Sequence, residues 1–340
     1  MTLSKKEKSI LRSIIVRSEN DPKHPEFPPT HPAFPATPTY RISVPGFSNV
    51  WLKDESVNPT GTHKDRMAWE IIVVYRDFLL AKERGQTRGL LPHFSLISSG
   101  SAAYAIQFYL KQYSLPKLKV LIDIHTPLST RTALKQIGCD VYETDLSRRS
   151  LSSREILVLT ENRSGFDLTS SEAMDPTARY YDWMSYELLN ESPEYCFIPF
   201  GTGNLYQNIL NITKKEVRAN QSDPRFTGRI ATVRQCHFFG ATINNPYSKA
   251  EKLYSPHLPF SHFDQQWLDL YKAAGYCGSE SNVHLLQEEY LESAYHYALQ
   301  LGIQCEYSGI SGLAMLLQMS KKIPKGKKIL IINTGKSKGT

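Results

Sequence analysis

The 340-residue sequence has no run of apolar residues approaching the roughly 20 that a membrane span needs. Hydrophobic residues make up 41% and charged residues 21%, the balance of a soluble globular chain, so no membrane partner is expected. Cysteine is sparse. Cys139, Cys196, Cys236, Cys277 and Cys305 are scattered, odd in number and never spaced CxxC. That excludes a disulfide framework and a cysteine-based metal site, and it points to reduced thiols, a cytoplasmic address and no metal. The N-terminus, MTLSKKEKSILRSIIVRSE, is basic but lacks a continuous apolar core and a small-residue cleavage site, so no secretory signal is expected. Acidic residues are in deficit, 33 against 40 Lys and Arg, for a net charge of +7. The basic residues are dispersed and no nucleic-acid-binding motif occurs, so no nucleic-acid partner is expected. A positive balance suits anionic small molecules.

What is present is a βα rhythm. Residues 4–18 have Ile10, Leu11, Ile14 and Ile15 on one helical face. Residues 21–38, DPKHPEFPPTHPAFPATP, are too proline-rich for helix and read as an extended arm or a linker. From Tyr40, short apolar strand candidates follow: Phe94–Ser98, Lys119–Ile124, Val141–Thr144, Tyr195–Phe200, Thr232–Phe239 and Ile329–Asn333. Helical spacing follows Lys64 (Met67, Ala68, Ile71, Ile72, Tyr75, Phe78, Leu79) and recurs in Ala102–Tyr113, Thr177–Leu189, Glu288–Leu301 and Gly312–Lys321. Alternating βα units predict an α/β fold whose mostly parallel sheets are covered on both faces. In such folds, ligands bind in the loops at the carboxyl ends of strands.

Four such loops are rich in small donor residues. NPTGTHKDR (Asn58 to Arg66) follows the strand-like WLKDES, and its Lys64 opens a helix, where the macrodipole favours anions over cations. Lys64 is either a solvated side chain or an amine held there for Schiff-base chemistry. SSGSAA (Ser98 to Ala103) offers hydroxyls and N–H groups suited to a carboxylate, although Ser-Ser-Gly is also ordinary turn chemistry. FGTGNLYQN (Phe200 to Asn208) lets backbone N–H groups converge on a phosphate, or is simply a tight turn. NTGKSKGT (Asn333 to Thr340) contains GKS, but a P-loop needs glycine where Leu330 stands and a following helix, so a nucleotide hydrolase is excluded.

Together these loops resemble the fold-type II pyridoxal-phosphate enzymes, the tryptophan synthase β-like superfamily, and within it the threonine synthases. WLKDESVNPTGTHKDR is similar to the family's strand, acidic pair, Asn-Pro-Thr-Gly and Ser-Phe-Lys-Asp-Arg. ATPTYRI, TALKQIGCDVYETD, CEYSGISGLAML and IINTGKSKG resemble further family segments, so the likeness spans about residues 36–338. It implies two three-layer αβα domains, a large cofactor domain (41–70 and 161–340) and a small mobile domain (71–160) that closes over substrate, preceded by an N-terminal helix and arm (1–40). It implies pyridoxal 5'-phosphate as cofactor, with Lys64 as the Schiff-base lysine and, when freed, the general base.

The resemblance carries cofactor contacts onto Ser101, Gly201, Thr202, Gly203, Asn204, Leu205, Glu306 and Thr334. It carries substrate contacts onto Ser98, Ser99, Gly100, Ser101, Ala102 and Lys338. A homodimer acting on an amino acid is implied, with threonine synthase-like loss or replacement of a leaving group. A serine/threonine dehydratase, a cysteine synthase-like β-replacement enzyme and a cofactor-binding pseudoenzyme are the alternatives. Two positions depart from the pattern. Ser101 stands in place of an asparagine that contacts the cofactor's phenolic oxygen, offering a shorter hydroxyl in place of an amide. His63 stands in place of phenylalanine, as in tryptophan synthase β chains, and either stacks, shuttles a proton or packs.

Overall fold

The computed structural model describes residues 3–14, 34–147, 149–169, 179–222, 224–254 and 264–337. The chain begins with α1 (Lys5–Ser13), then β1 (Thr39–Val44), β2 (Phe47–Asp54), α2 (Lys64–Glu83), β3 (Phe94–Ile97) and α3 (Ser101–Gln112). Next come β4 (Lys119–Asp123), α4 (Leu128–Ile137), β5 (Asp140–Thr144), α5 (Ser153–Leu159), β6 (Phe166–Asp167), α6 (Asp182–Asn190), β7 (Tyr195–Pro199) and α7 (Asn204–Asn220). It continues through α8 (Thr227–Gln235), β8 (His237–Thr242), α9 (Gln265–Ala273), β9 (Asn282–Leu285), α10 (Glu288–Gln300), α11 (Ser311–Gln318) and β10 (Ile329–Asn333). Contacts divide the chain into two compact units. One comprises Met1–Pro35, Lys64–Tyr180 and Ser337–Thr340, and the other Ala36–His63 and Tyr181–Lys336.

The second unit holds a six-stranded sheet ordered β1-β2-β10-β7-β8-β9, parallel except for the edge strand β1. Its central strands are apolar on both faces, as a sheet covered on both sides requires. Ile329 and Ile331 of β10 join one core with Leu291, Ala294 and Ala298 of α10 and Leu313, Ala314 and Leu316 of α11. Leu330 and Ile332 alternate to the other face and are equally buried. On that face Tyr206 of α7 donates its hydroxyl proton to the carbonyl of Phe238 in β8 (3.0 Å). Helix α11 seats closely because of Gly312, where a Cβ would lie 2.7 Å from the Phe197 carbonyl oxygen of β7.

The first unit holds a parallel four-stranded sheet ordered β5-β4-β3-β6. Val120, Leu121 and Ile122 of β4 are all fully buried, so this sheet too is covered on both faces. Helix α2 buries residues around most of its circumference, among them Ile71, Ile72, Tyr75 and Leu79, and packs on α1 and α3. The five cysteines are free and buried. Burial pushes the thiols of Cys139 and Cys305 up to about 12 and raises that of Cys196, so none is a ready thiolate. Among the described residues, no helix is long and apolar enough to cross a membrane.

The α/β class and the mostly parallel sheets expected from the sequence are present. The helix expected over 4–18 ends at Ser13, and residues 15–18 lie outside the described residues. Most of the proline-rich stretch, and Thr177 and Ala178 of the expected Thr177–Leu189 helix, also lie outside them. One expectation is corrected. The strand expected over Thr232–Phe239 begins only at His237, because Thr232–Gln235 complete α8. The buried Ile230 and Val233 are three residues apart, a helical repeat, and face α7 despite the β-branched content of the segment.

Candidate active site

The ends of β2 and β10 are tied by one buried amide. Asp54 and Asn333 are register partners in adjacent parallel strands. The Asn333 side chain donates to Asp54 Oδ1 (3.0 Å) and to the carbonyl of Gln304 (2.9 Å), and accepts from the Gly335 N–H (3.0 Å). Its carbonyl accepts from the Glu55 N–H (3.0 Å).

The Asn-Pro-Thr-Gly turn is pinned in turn. Asn58 Nδ2 donates to Glu55 Oε2 (2.8 Å) and to the carbonyl of Thr62 (3.0 Å), and the Gly61 N–H closes on the Asn58 carbonyl (2.8 Å). Thr62 and Gly335 form an antiparallel bridge, flanked by His63 N–H to Thr334 carbonyl (3.1 Å) and Lys336 N–H to Gly61 carbonyl (2.9 Å). The Thr334 N–H donates to the Gly309 carbonyl (3.0 Å). Three backbones meet at glycines: a Cβ on Gly335 would lie 2.0 Å from the Gly61 oxygen, and one on Gly309 2.2 Å from the Gly335 oxygen. Thr334 is thereby fixed at the strand end, almost fully buried. The His63 ring packs on Tyr181, with centroids 5.4 Å apart, and its Nδ1 lies 3.4 Å from the Thr334 carbonyl oxygen.

Beneath this turn lies a group that the sequence reading missed. Lys53 is 1% exposed, and its Nζ donates to the Thr37 carbonyl (2.6 Å) and to Glu187 Oε2 (2.5 Å). Thr37 in turn donates its hydroxyl proton to Glu55 Oε1 (2.6 Å). Nothing local in a strand marks one lysine as buried, since its carboxylate partner lies 134 residues away.

Strand β7 ends at Pro199 and leads through Gly201, Thr202 and Gly203 into α7. Gly203 has φ +86°, and a Cβ there would meet the Phe200 ring at 2.9 Å. A Cβ on Gly201 would lie 3.2 Å from the Lys252 carbonyl oxygen. No side chain caps α7, and the N–H groups of Asn204, Leu205 and Tyr206 have no partner among the described residues. A 17-residue helix therefore directs its positive end at whatever binds the loop. Glu306 does not stand alone. Its carboxylate pairs with Lys252 Nζ at 2.6 Å, and its N–H reaches the Gly335 carbonyl at 3.4 Å. Lys252 thus links the loop after β7, through its backbone, to the loops carrying Glu306 and Thr334.

The remaining expected residues belong to the first unit. Lys64 is the first residue of α2, half-buried and one peptide bond beyond the tethered His63. In the loop after β3, Ser98 Oγ accepts from the N–H groups of Gly100 (3.1 Å) and Ala103 (3.3 Å), leaving its own proton to donate. Gly100 sits at φ 137° and ψ −64°, a conformation open only to glycine. The N–H groups of Ser99, Ser101 and Ala102 have no partner among the described residues, and they cluster at the mouth of α3. Lys338 lies outside the described residues.

Residues 33–335 match the family model described as pyridoxal-phosphate dependent enzyme. The chain belongs to that family. Its cofactor is pyridoxal 5'-phosphate, and the donor set fits it: a glycine cradle with free N–H groups at a helix mouth for a phosphate, a buried hydroxyl at Thr334, and a primary amine at Lys64. Solved structures share the fold. O-ureido-L-serine synthase superposes with a TM-score of 0.62 at 16% identity, covering 96% of this chain and 91% of its own. A hydrogen sulfide-producing enzyme from Fusobacterium nucleatum gives 0.60 at 17% identity, over 89% of this chain and 96% of its own. The T.th. threonine deaminase gives 0.55 at 16% identity, over 84% of this chain and 86% of its own. A comparison with curated proteins returned no match.

Proposed function

We propose that this pyridoxal-phosphate enzyme removes or replaces a leaving group on an amino acid, in the manner of a threonine synthase. The observation that carries the reading is Thr334. A neutral hydroxyl side chain, not a carboxylate, stands at the end of β10, on a backbone whose N–H donates to the Gly309 carbonyl and whose carbonyl accepts from the His63 N–H. Bound cofactor supplies a conjugated ring that accepts electron density from the substrate's α-carbon. A hydroxyl at Thr334 would stabilise a protonated ring nitrogen less than a carboxylate would, and that weaker support would favour prompt loss of a leaving group.

In this reading Lys64 holds the cofactor through its aldehyde carbon and, once released, takes the proton from the substrate α-carbon. The N–H groups from Gly201 to Leu205 and the Thr202 hydroxyl hold the cofactor phosphate. Ser98, Ser99 and Ser101, with the N–H groups of Ser99, Ser101 and Ala102, orient the substrate carboxylate. Lys338 neutralises an anionic leaving group. The names of the fold relatives favour a second reading, β-replacement on a serine derivative. The test is a panel of O-phosphohomoserine, serine, threonine, O-acetylserine and O-phosphoserine, following released phosphate, acetate and ammonia. Release from at least one substrate, abolished in Lys64→Ala, is expected. Exchange of the α-proton with no release from any of the five would overturn the proposal, and release from O-acetylserine alone would select the second reading.

A further inference from the structure

A second cleft lies at the other end of the six-stranded sheet. It has a volume of about 340 Å³ and is lined by Glu194, Tyr195, Arg234, His237, Ser279 and Lys327, among others. Tyr195 and His237 open β7 and β8, so the cleft sits at the amino ends of strands whose carboxyl ends lead to the catalytic loops. Its volume falls in the range of small-molecule sites.

The charges there are unequally satisfied. Glu194 is already used: Oε1 pairs with Lys327 Nζ at 2.6 Å, and Oε2 accepts the Lys328 N–H at 2.9 Å. Arg234 is exposed and has no ion pair or hydrogen bond among the described residues. Glu280, whose carboxylate acts on both Tyr195 and His237, offsets that charge at a distance, but no described residue occupies the Arg234 guanidinium. The His237 ring packs on Tyr195, with centroids 4.9 Å apart, and its Nδ1 accepts the Glu280 N–H at 3.1 Å. A ring nitrogen that accepts carries no proton, so in the neutral ring the proton sits on Nε2 and that atom is a donor. Burial lowers the His237 pKa, against an opposing pull from Glu280.

The Tyr195 hydroxyl has no partner among the described residues. The arrangement is built rather than loose. The Gly278 N–H donates to the Cys236 carbonyl at 2.7 Å, and a Cβ on Gly278 would lie 2.4 Å from His237 Nδ1. Glycine alone lets the 277–280 turn seat on the ring. What remains is a set of donors that no described residue accepts from, a guanidinium, an imidazole N–H and a phenol, with the Glu280 carboxylate as the one nearby negative charge among the described residues not already paired.

We propose that this cleft is a binding site for a small oxyanion, a carboxylate or a phosphate, separate from the catalytic loops. Arg234 holds the anion as a fork, with His237 and Tyr195 completing its hydrogen bonds. The test uses the cofactor-loaded enzyme. Thermal unfolding is followed while inorganic phosphate, and in a separate series succinate, is raised at constant ionic strength. A saturable rise in midpoint with at least one anion is expected, and which anion acts decides between the two sources. In Arg234→Gln the apparent affinity should fall by about tenfold or more, with Arg234→Lys intermediate. Arg234 is exposed, so both variants should fold, and an unchanged far-UV circular dichroism spectrum checks this. No saturable shift with either anion overturns the proposal. So does an equal shift in Arg234→Gln, which would place the anion at the catalytic loops.

Discussion

Replacing Gly335 with alanine tests how Lys64, the proposed Schiff-base lysine, is aimed. Gly335 has φ +95°, and its added Cβ would lie 2.0 Å from the Gly61 carbonyl oxygen and 3.0 Å from Thr62 Cα. Both neighbours are backbone, so no side chain can swing aside, and the two segments must part by at least about 1 Å to reach ordinary contact. The left-handed conformation costs alanine roughly 1–2 kcal/mol. Parting the segments breaks the Lys336-to-Gly61 and His63-to-Thr334 hydrogen bonds, worth about 1 kcal/mol each. The expected loss is roughly 3–4 kcal/mol. Lys64 follows His63 directly, so its amine is displaced by a comparable distance, which would slow the chemical step on the order of 100-fold. Gly302→Ala is the matched control. Its φ is +74°, but nothing lies within 4 Å of the added Cβ, so it carries the conformational cost alone. The assay compares chemical denaturation and the rate of leaving-group release for both variants. If Gly335→Ala behaves like Gly302→Ala in both measurements, the bridge does not position the lysine.

Lys53→Met should destabilise by roughly 3–5 kcal/mol by removing the buried ammonium beside the Glu187 carboxylate, whereas Lys53→Met with Glu187→Leu should recover most of that loss in the same denaturation assay. Gly203→Val should weaken cofactor affinity about tenfold or more by driving a side chain into the Phe200 ring, read by titrating apoprotein with pyridoxal phosphate. The hydrogen bond from Lys82, with one from the Ser4 N–H, holds the Glu7 carboxyl down to about 2 from 4.5. Its folded pKa is depressed, so its contribution is complete above about pH 4.5 and is lost as the pH falls through about 2. Hydrogen exchange in α1 should therefore differ between wild type and Lys82→Met near neutral pH, and the difference should vanish near pH 2.

The loops proposed to carry chemistry stand out in the sequence because their residues have few other uses. A Pro-Thr-Gly turn before a helix-opening lysine, and two glycine-containing strand ends before helices, each satisfy a backbone need that few sequences meet. The central strands were legible because both of their faces are apolar. The hairpin of β1 and β2 and the edge strand β9 were less so, since β9 is only partly buried along its length and carries little period signal. Residues 232–235 were expected as strand because Thr232 and Val233 are β-branched, while the packing of α8 on α7 decides for helix. The partners of Lys53 and Glu306 were invisible for another reason. Each lies on an element distant in sequence, and only the fold brings Glu187 and Lys252 to them.

The most direct test of Lys64 is chemical trapping. The enzyme is loaded with pyridoxal phosphate, reduced with borohydride, digested and mapped by mass spectrometry. A pyridoxyl-phosphate adduct on Lys64, in the peptide following the Asn-Pro-Thr-Gly turn, is the expected result. An adduct on Lys53, Lys252 or any other lysine, with Lys64 unmodified, would contradict it.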